Sequence, residues 1–353
     1  MTARTVAARP DEDDTRLRPV PWRRMAGVTW RQHRYALAGV AVLLGALAVW
    51  LWIIGTPLHH AYAAALACHP ASSPTCAGLD GTFQGMDNLL TGPTTPGGVF
   101  LQVVPVLIGA FAGAPVLARE METGTFRYAW TQGFGRWRWA LAKLVLLGVV
   151  LAAATAAFGV LVSWYFQPYL GNGPGLYVNS PFANLFSLRE VTFPAWTLAA
   201  FTIGALTGML IRRVVPAIVA TLATCTGLLL ATGGLLREHY LTPLATTNNF
   251  NLPSTAWIIS QWTTKDGRFA FTGLPPITLV NKFCSSVPAG PGKAGGSLEA
   301  LAQCLSRHGY TQWTIYHPAS RFWPFQWIQG GWQLALSALL IAATVWLVHR
   351  RAA

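Results

Sequence analysis

Six stretches of this chain are long and apolar enough to cross a lipid bilayer as helices, roughly 36–54, 99–118, 140–163, 192–211, 214–235 and 331–349. A crossing takes about 20 apolar residues. Inside the hydrocarbon, every backbone N–H and C=O must be paired within the helix or within a closed barrel. These two requirements leave little choice of fold class: the chain is expected to be an all-α membrane protein with six transmembrane helices. Composition agrees, since charged residues are 10% of the chain against about 25% in soluble domains, and mean hydropathy is +0.40. The fourth and fifth stretches are split only by Arg212-Arg213, which predicts a tight hairpin. About 35 residues precede the first stretch and no small-residue cleavage site follows a short apolar core, so the N-terminus does not read as a cleavable signal peptide.

Orientation follows from Lys and Arg, which concentrate in short cytoplasmic flanks. Eight arginines precede the first span: Arg4, Arg9, Arg16, Arg18, Arg23, Arg24, Arg31 and Arg34. The 119–139 connector carries Arg119, Arg127, Arg136 and Arg138, with Lys143 just inside the third span, and Arg350-Arg351 end the chain. The 55–98 connector has no Lys or Arg at all. This asymmetry places both termini in the cytoplasm and turns the two long connectors, 55–98 and 236–330, outward. Cysteine usage agrees, because disulfides persist outside the cytoplasm. Cys68 and Cys76 lie in the first outer connector, and Cys284 and Cys304 in the second. Four cysteines allow three connectivities, of which the two within-loop pairs are the simplest. Cys225, inside the fifth span, reads as a small buried hydrophobe.

Residues 1–21 read as a disordered cytoplasmic tail, with the acidic run DEDD at 11–14. The next stretch, WRRMAGVTWRQHRY at 22–35, has two faces. At 100° per residue, Arg23, Arg24, Arg31 and Arg34 share an arc of about 100°, while Trp22, Met25, Ala26 and Thr29 lie opposite. That pattern predicts an amphipathic helix lying in the interface against membrane lipid, ahead of a six-helix domain over 36–349. The net charge of +13 is therefore a topology signal. The basic residues flank apolar spans and form no patch interleaved with base-stacking aromatics, so no nucleic-acid partner is expected.

The middles of the spans hold no Asp, Glu, Arg or His; Gln102 and Gln333 lie near span ends. Pumps and ion-coupled carriers need such groups within the membrane, so the path suits an apolar or amphiphilic cargo and the driving energy must come from elsewhere. The phosphate-cradling pattern G-x-x-x-x-G-K-[ST] is absent, and GPGKAGGS at 290–297 lacks the hydroxyl after its lysine. Nucleophile-elbow and H-E-x-x-H patterns are absent as well. His59, His60, His69, Asp80 and Asp87 share the first outer connector without the spacing of a metal site. No catalytic residue, metal or resident cofactor is expected. Gly109-x-x-x-Gly113 in the second span and Gly204-x-x-x-Gly208 in the fourth permit close helix approach, in a core or in a dimer seam. Pro105 and Pro115 should kink the second span or shorten its regular part.

The connector REMETGTFRYAWTQGFGRWRW, residues 119–139, concentrates charge and tryptophan between two apolar runs. A short helix is expected from about 120 to 130, with Glu120 and Glu122 in its first turn, where carboxylates favour the helix dipole. Gly124 weakens its propensity, and TQGFG is a stop signal. RWRWALAK then re-enters the membrane with arginines for headgroups and tryptophans for the interface. The segment reads as a docking element for a soluble partner.

Taken with the order of spans, this segment resembles that of a type-2 ABC exporter permease. In that family a cytoplasmic loop after span two contains a coupling helix and often reads E-x-E-x-G-T, then a basic turn and a Lys entering span three. Glu120, Glu122, Gly124, Thr125, Arg136 and Lys143 match in that order. FRYAWTQGFGRWRWALAKL, and HPASRFWPFQWIQ at 317–329, resemble a variant of actinobacterial members. The resemblance covers about 22–350. It implies a multi-pass subunit of the bacterial cell membrane, paired with a second permease subunit as homodimer or heterodimer. Two copies of a separately encoded ATPase, which holds ATP and Mg, would dock on Arg119, Glu120, Glu122, Gly124, Thr125, Arg127 and Arg136. The outer loop between spans five and six often caps the exit in this family; here it runs to about 95 residues. A different class of function stays open beside this one: a membrane-anchored enzyme or sensor that acts through its outer loops.

Overall fold

The structure, a computed structural model, describes residues 21–68, 96–124, 136–170, 186–247, 255–273, 275–285 and 298–351, with a few single positions between them. Residues 1–20, most of the 55–98 connector (with His69, Asp80 and Asp87), Thr125 and Arg127 lie outside the described residues.

Among the described residues, six helices are long and apolar enough to cross a membrane. The first, α1, is a single helix of 46 residues, Trp22–Ala67. The sequence suggested a separate interfacial helix over 22–35, a span over 36–54 and a loop from 55. No strong breaker separates these pieces, and Pro57 is accommodated inside the helix. At 1.5 Å per residue α1 is about 69 Å long, more than twice the ~30 Å hydrocarbon core, so it projects well past the bilayer.

Helix α2 covers 96–123 in three pieces: α-helical Pro96–Ile108, a π-helical turn Gly109–Gly113, and α-helical Ala114–Thr123. The π turn falls between Pro105 and Pro115, where the missing N–H of Pro115 interrupts the regular ladder. The sequence suggested a separate short helix beginning near Glu120. Instead, α2 continues to Thr123 and stops at Gly124, whose left-handed φ of 71° closes it. Glu120 and Glu122 therefore sit in the last turn of a long helix, not the first turn of a short one, and the dipole argument does not apply to them.

Helix α3 is Arg136–Phe166, α4 is Thr192–Ile211 and α5 is Val214–Ala231. The α4–α5 hairpin is as tight as expected: Arg212 takes a left-handed φ of 59° and Arg213 is extended.

Beyond α5 the chain builds a small α/β module that an all-helical reading does not contain. Its strands are β1 (Leu244–Thr246), β2 (Trp257–Lys265) and β3 (Arg268–Thr272), followed by helices α6 (Ile277–Phe283) and α7 (Leu298–Arg307) and strand β4 (Tyr310–His317). The sheet order is β1-β4-β2-β3, and every pairing is antiparallel. The β2–β3 hairpin turns on Asp266-Gly267, both at positive φ, the conformation that two-residue primed turns demand and Asp-Gly supplies. Helix α8, Phe322–Arg351, returns across the bundle. It starts nine residues before the expected span at 331, because FWPFQWIQ places its proline in the first turn, where no N–H partner is lost.

Both disulfides form within their own loops, Cys68–Cys76 and Cys284–Cys304. The second staples α6 to α7 over a small core of Val280, Leu305 and Tyr310. Cys225 is free and buried in α5.

Packing within the membrane domain centres on α4, which α2 and α8 flank. The two glycine pairs of the sequence face each other inside this one chain. A Cβ at Gly109 would lie 2.6 Å from the backbone of Ala200, and one at Gly204 would strike the Gly109 carbonyl. Gly113 meets the Phe201 carbonyl and Gly208 the Ala114 carbonyl in the same way. The seam is a backbone-to-backbone contact that only glycine permits. A continuous apolar core, including Leu51, Leu117, Leu144, Phe193 and Phe201, ties α1, α2, α3 and α4 together.

Candidate functional site

The start of α1, the last turn of α2 and the first turns of α3 and α5 meet at one end of the bundle, here termed the basic end. Lys143, in the second turn of α3, has a side chain only 1% exposed. Its ammonium donates to the Glu120 carboxylate on α2 and lies 4.5 Å from the Trp139 ring centroid. A lysine is seldom buried unless its charge is paired, and Glu120 provides that pairing. Glu122, one turn's edge away, accepts the Val214 N–H at 3.1 Å. It thereby satisfies one of the orphan donors at the start of α5, where a carboxylate also favours the helix dipole. The two glutamates thus clamp α2 to α3 and α2 to α5.

The other sequence-derived candidates are placed as follows. Arg119 is exposed on the last turns of α2, and Gly124 closes that helix. Arg136 is the first residue of α3. On α1, Arg23, Arg24, Arg31 and Arg34 are all exposed, while Met25 and Thr29 are buried. Trp22 is not on the buried side; it lies against the guanidinium of Arg138, 5.0 Å from ring centroid to Cζ, which pins the start of α1 to the start of α3.

The opposite end holds a polar layer that sequence reading missed. Gln326 on α8 accepts the Thr192 N–H at 3.1 Å and donates to the Phe186 carbonyl at 3.0 Å. Arg237, past the end of α5, donates to Gln329 at 3.2 Å and to Ser187 at 2.7 Å. Glu190 accepts from Ser163 of α3 at 2.7 Å and lies 3.6 Å from the guanidinium of Arg189, whose burial holds it below the ordinary arginine range. The available signal was the spacing of Gln326, Gln329 and Gln333, which puts three amides on one face of a helix that starts earlier than hydropathy suggests. His317, at the end of β4, accepts from Arg321 at 2.9 Å and donates to the Glu238 carbonyl at 3.1 Å. Burial holds its imidazole below the ordinary value of 6.5.

Among the described residues no group of three His, Cys, Asp or Glu side chains comes together as a metal site. His59 is engaged otherwise, stacked on Trp164 at 4.4 Å and bonded to its carbonyl oxygen.

Six apolar helices, disulfide-stapled connectors and a basic end that clamps three helices together define a multi-pass membrane protein. A family model, ABC-2 membrane transporter related, matches residues 41–237, more than half of the 353-residue chain. The chain belongs to that family and is a membrane subunit of an ABC transporter. Neither a curated protein nor a solved structure matches it.

Proposed function

We propose that this chain is the permease subunit of an ABC exporter, moving an apolar or amphiphilic substrate outward with ATP hydrolysed by a separate ATPase subunit. It sits in a bacterial cell membrane with both termini and the 119–139 connector in the cytoplasm. Two ATPase copies dock there, and a second permease subunit completes the pathway.

The observation that carries this reading is the double clamp at the basic end. Because Glu120 holds Lys143 and Glu122 holds Val214, a push on the connector reaches α2, α3 and α5 together. Rigid coupling of this kind lets a small displacement bias a two-state bundle, since packed helices shift as units. The apolar span middles support a cargo that needs no charged stepping stones. In this reading the partner ATPase holds the nucleotide and this chain's residues receive the movement.

The experiment is purification of the tagged chain from its native host in mild detergent, with co-purifying proteins quantified by mass spectrometry. A near-stoichiometric soluble ATPase is expected, with substrate-stimulated turnover that falls several-fold in Glu122→Lys while membrane insertion is unchanged. A preparation with no nucleotide-binding partner, in detergent and in nanodiscs alike, would overturn the exporter reading. The stapled outer module would then become the working part, as in a membrane-anchored enzyme or sensor.

A further inference from the structure

Between residues 101 and 119, α2 is sheltered at every position except Phe111 and Arg119. Both open onto one crevice between α2 and α1. Its outer chamber, about 450 Å³, is walled by Gln32, His33 and Tyr35 of α1 and by Arg119 of α2. A second chamber of about 340 Å³ continues it past Gly39, Val40 and Leu43 toward Leu107. Ala36, Phe111 and Ala112 line both chambers, so the two are one crevice. Phe111 is 59% exposed and lies in the π-helical turn, a local irregularity that often marks a functional position.

Length and polarity decide what fits. From Gln32 to Leu43, α1 rises about 16 Å, close to half the ~30 Å hydrocarbon core of a bilayer. The crevice is polar where α1 leaves its basic stretch and wholly apolar at its deep end, so it spans one leaflet with the polarity of one lipid. Its mouth is positive. The Arg119 guanidinium makes no hydrogen bond or ion pair with a described side chain, and Arg34 donates to the Tyr35 hydroxyl at 2.9 Å on the crevice rim. The carboxylate in the lining, Glu120, is already neutralised by Lys143.

We propose that this crevice holds an acyl chain of an anionic phospholipid from the leaflet at the basic end, with the headgroup phosphate against Arg119 and the Tyr35–Arg34 rim. The two cations hold the head, and Phe111, Val40 and Leu43 cover the chain. The proposal needs only that the six helices span a membrane. It stands or falls separately from the exporter reading.

The test uses the full chain in nanodiscs of equal phosphatidylglycerol and phosphatidylcholine, one of the two carrying a mid-chain photoreactive diazirine in each experiment. Labelled peptides are then mapped by mass spectrometry. Phosphatidylglycerol is expected to label the 36–43 and 107–112 segments several-fold more than phosphatidylcholine. Arg119→Gln should erase that preference. Gly39→Phe should abolish labelling of the crevice while leaving the exposed face of α5 at Val215 and Val219 labelled as before. A Cβ at Gly39 meets nothing within 4 Å, so this substitution fills the crevice without straining the fold. Equal labelling by both lipids, or labelling unchanged in Gly39→Phe, overturns the proposal. So does efficient cross-linking between copies carrying cysteines at 36 and 111, which would show that a second subunit covers the crevice.

Discussion

The ammonium of Lys143 is bonded to the carboxylate of Glu120, joining the last turn of α2 to the second turn of α3 on a lysine that solvent scarcely reaches. The relationship is asymmetric in energy. Removing one partner strands the other charge, whereas removing both leaves only a packing defect. Glu120→Leu is expected to destabilise the membrane domain by about 3 kcal/mol, toward the low end for a buried pair, because the Glu120 side chain is 16% exposed. Glu120→Leu with Lys143→Met should recover most of that loss. Thermal unfolding of the wild type, Glu120→Leu, Lys143→Met and the double variant in one detergent measures the cycle; a double-variant loss equal to the sum of the two single losses would show that the pair is not coupled.

The α2–α4 seam tolerates no side chain. Gly204→Val should cost about 3 kcal/mol or more, since overpacking there forces two backbones apart and the new Cβ falls on the Gly109 carbonyl. Gly227→Ala on α5 is the control. Its Cβ meets nothing within 4 Å, and alanine should stabilise a helix interior slightly. Size-exclusion profiles and melting temperatures compare the two, and a monodisperse, wild-type-stable Gly204→Val would contradict the seam.

The disulfides give a count. Alkylation of the denatured, non-reduced protein should modify a single thiol, Cys225, and all five after reduction. Replacing Cys284 and Cys304 by serine should weaken the α/β module by about 3 kcal/mol, from lost loop closure over a separation of 20 residues. Limited proteolysis between α6 and α7 reports that loosening.

His317 makes the junction of β4 and α8 sensitive to acid. Its folded value lies below 6.5, first through burial and also through the nearby Arg321 charge. The unfolded chain therefore takes up this proton first as pH falls. The stability contributed by the neutral ring is fully present above about pH 6.5 and is lost as pH drops through the folded value. Protonation places a hydrogen on Nδ1, where Arg321 now donates. Melting temperature should fall between pH 7 and 5, and His317→Gln should flatten that part of the profile; an unaltered slope would remove His317 as its cause.

The four-stranded module is written in local turn chemistry that hydropathy does not register. In WIISQWTTKDGRFAFT the Asp-Gly between two β-rich runs is a hairpin signal, whereas low hydropathy alone marks the same stretch only as a loop. Glu120 and Glu122 show a different gap. Both stood out as candidates from charge alone, but their neighbours, Lys143 and the Val214 N–H, lie 23 and 92 residues away in sequence.

Six spans, the tight Arg212-Arg213 turn and the residues that could form disulfides were determined by the sequence alone. The free energy of moving a segment from water to lipid depends on that segment's own side chains and backbone, so it can be summed along the chain. The glycine-to-backbone seam, the Glu120 and Glu122 clamps and the crevice between α1 and α2 were decided by the tertiary structure. Each depends on which distant groups come within a few ångströms, and close packing and ion pairing vanish beyond that distance.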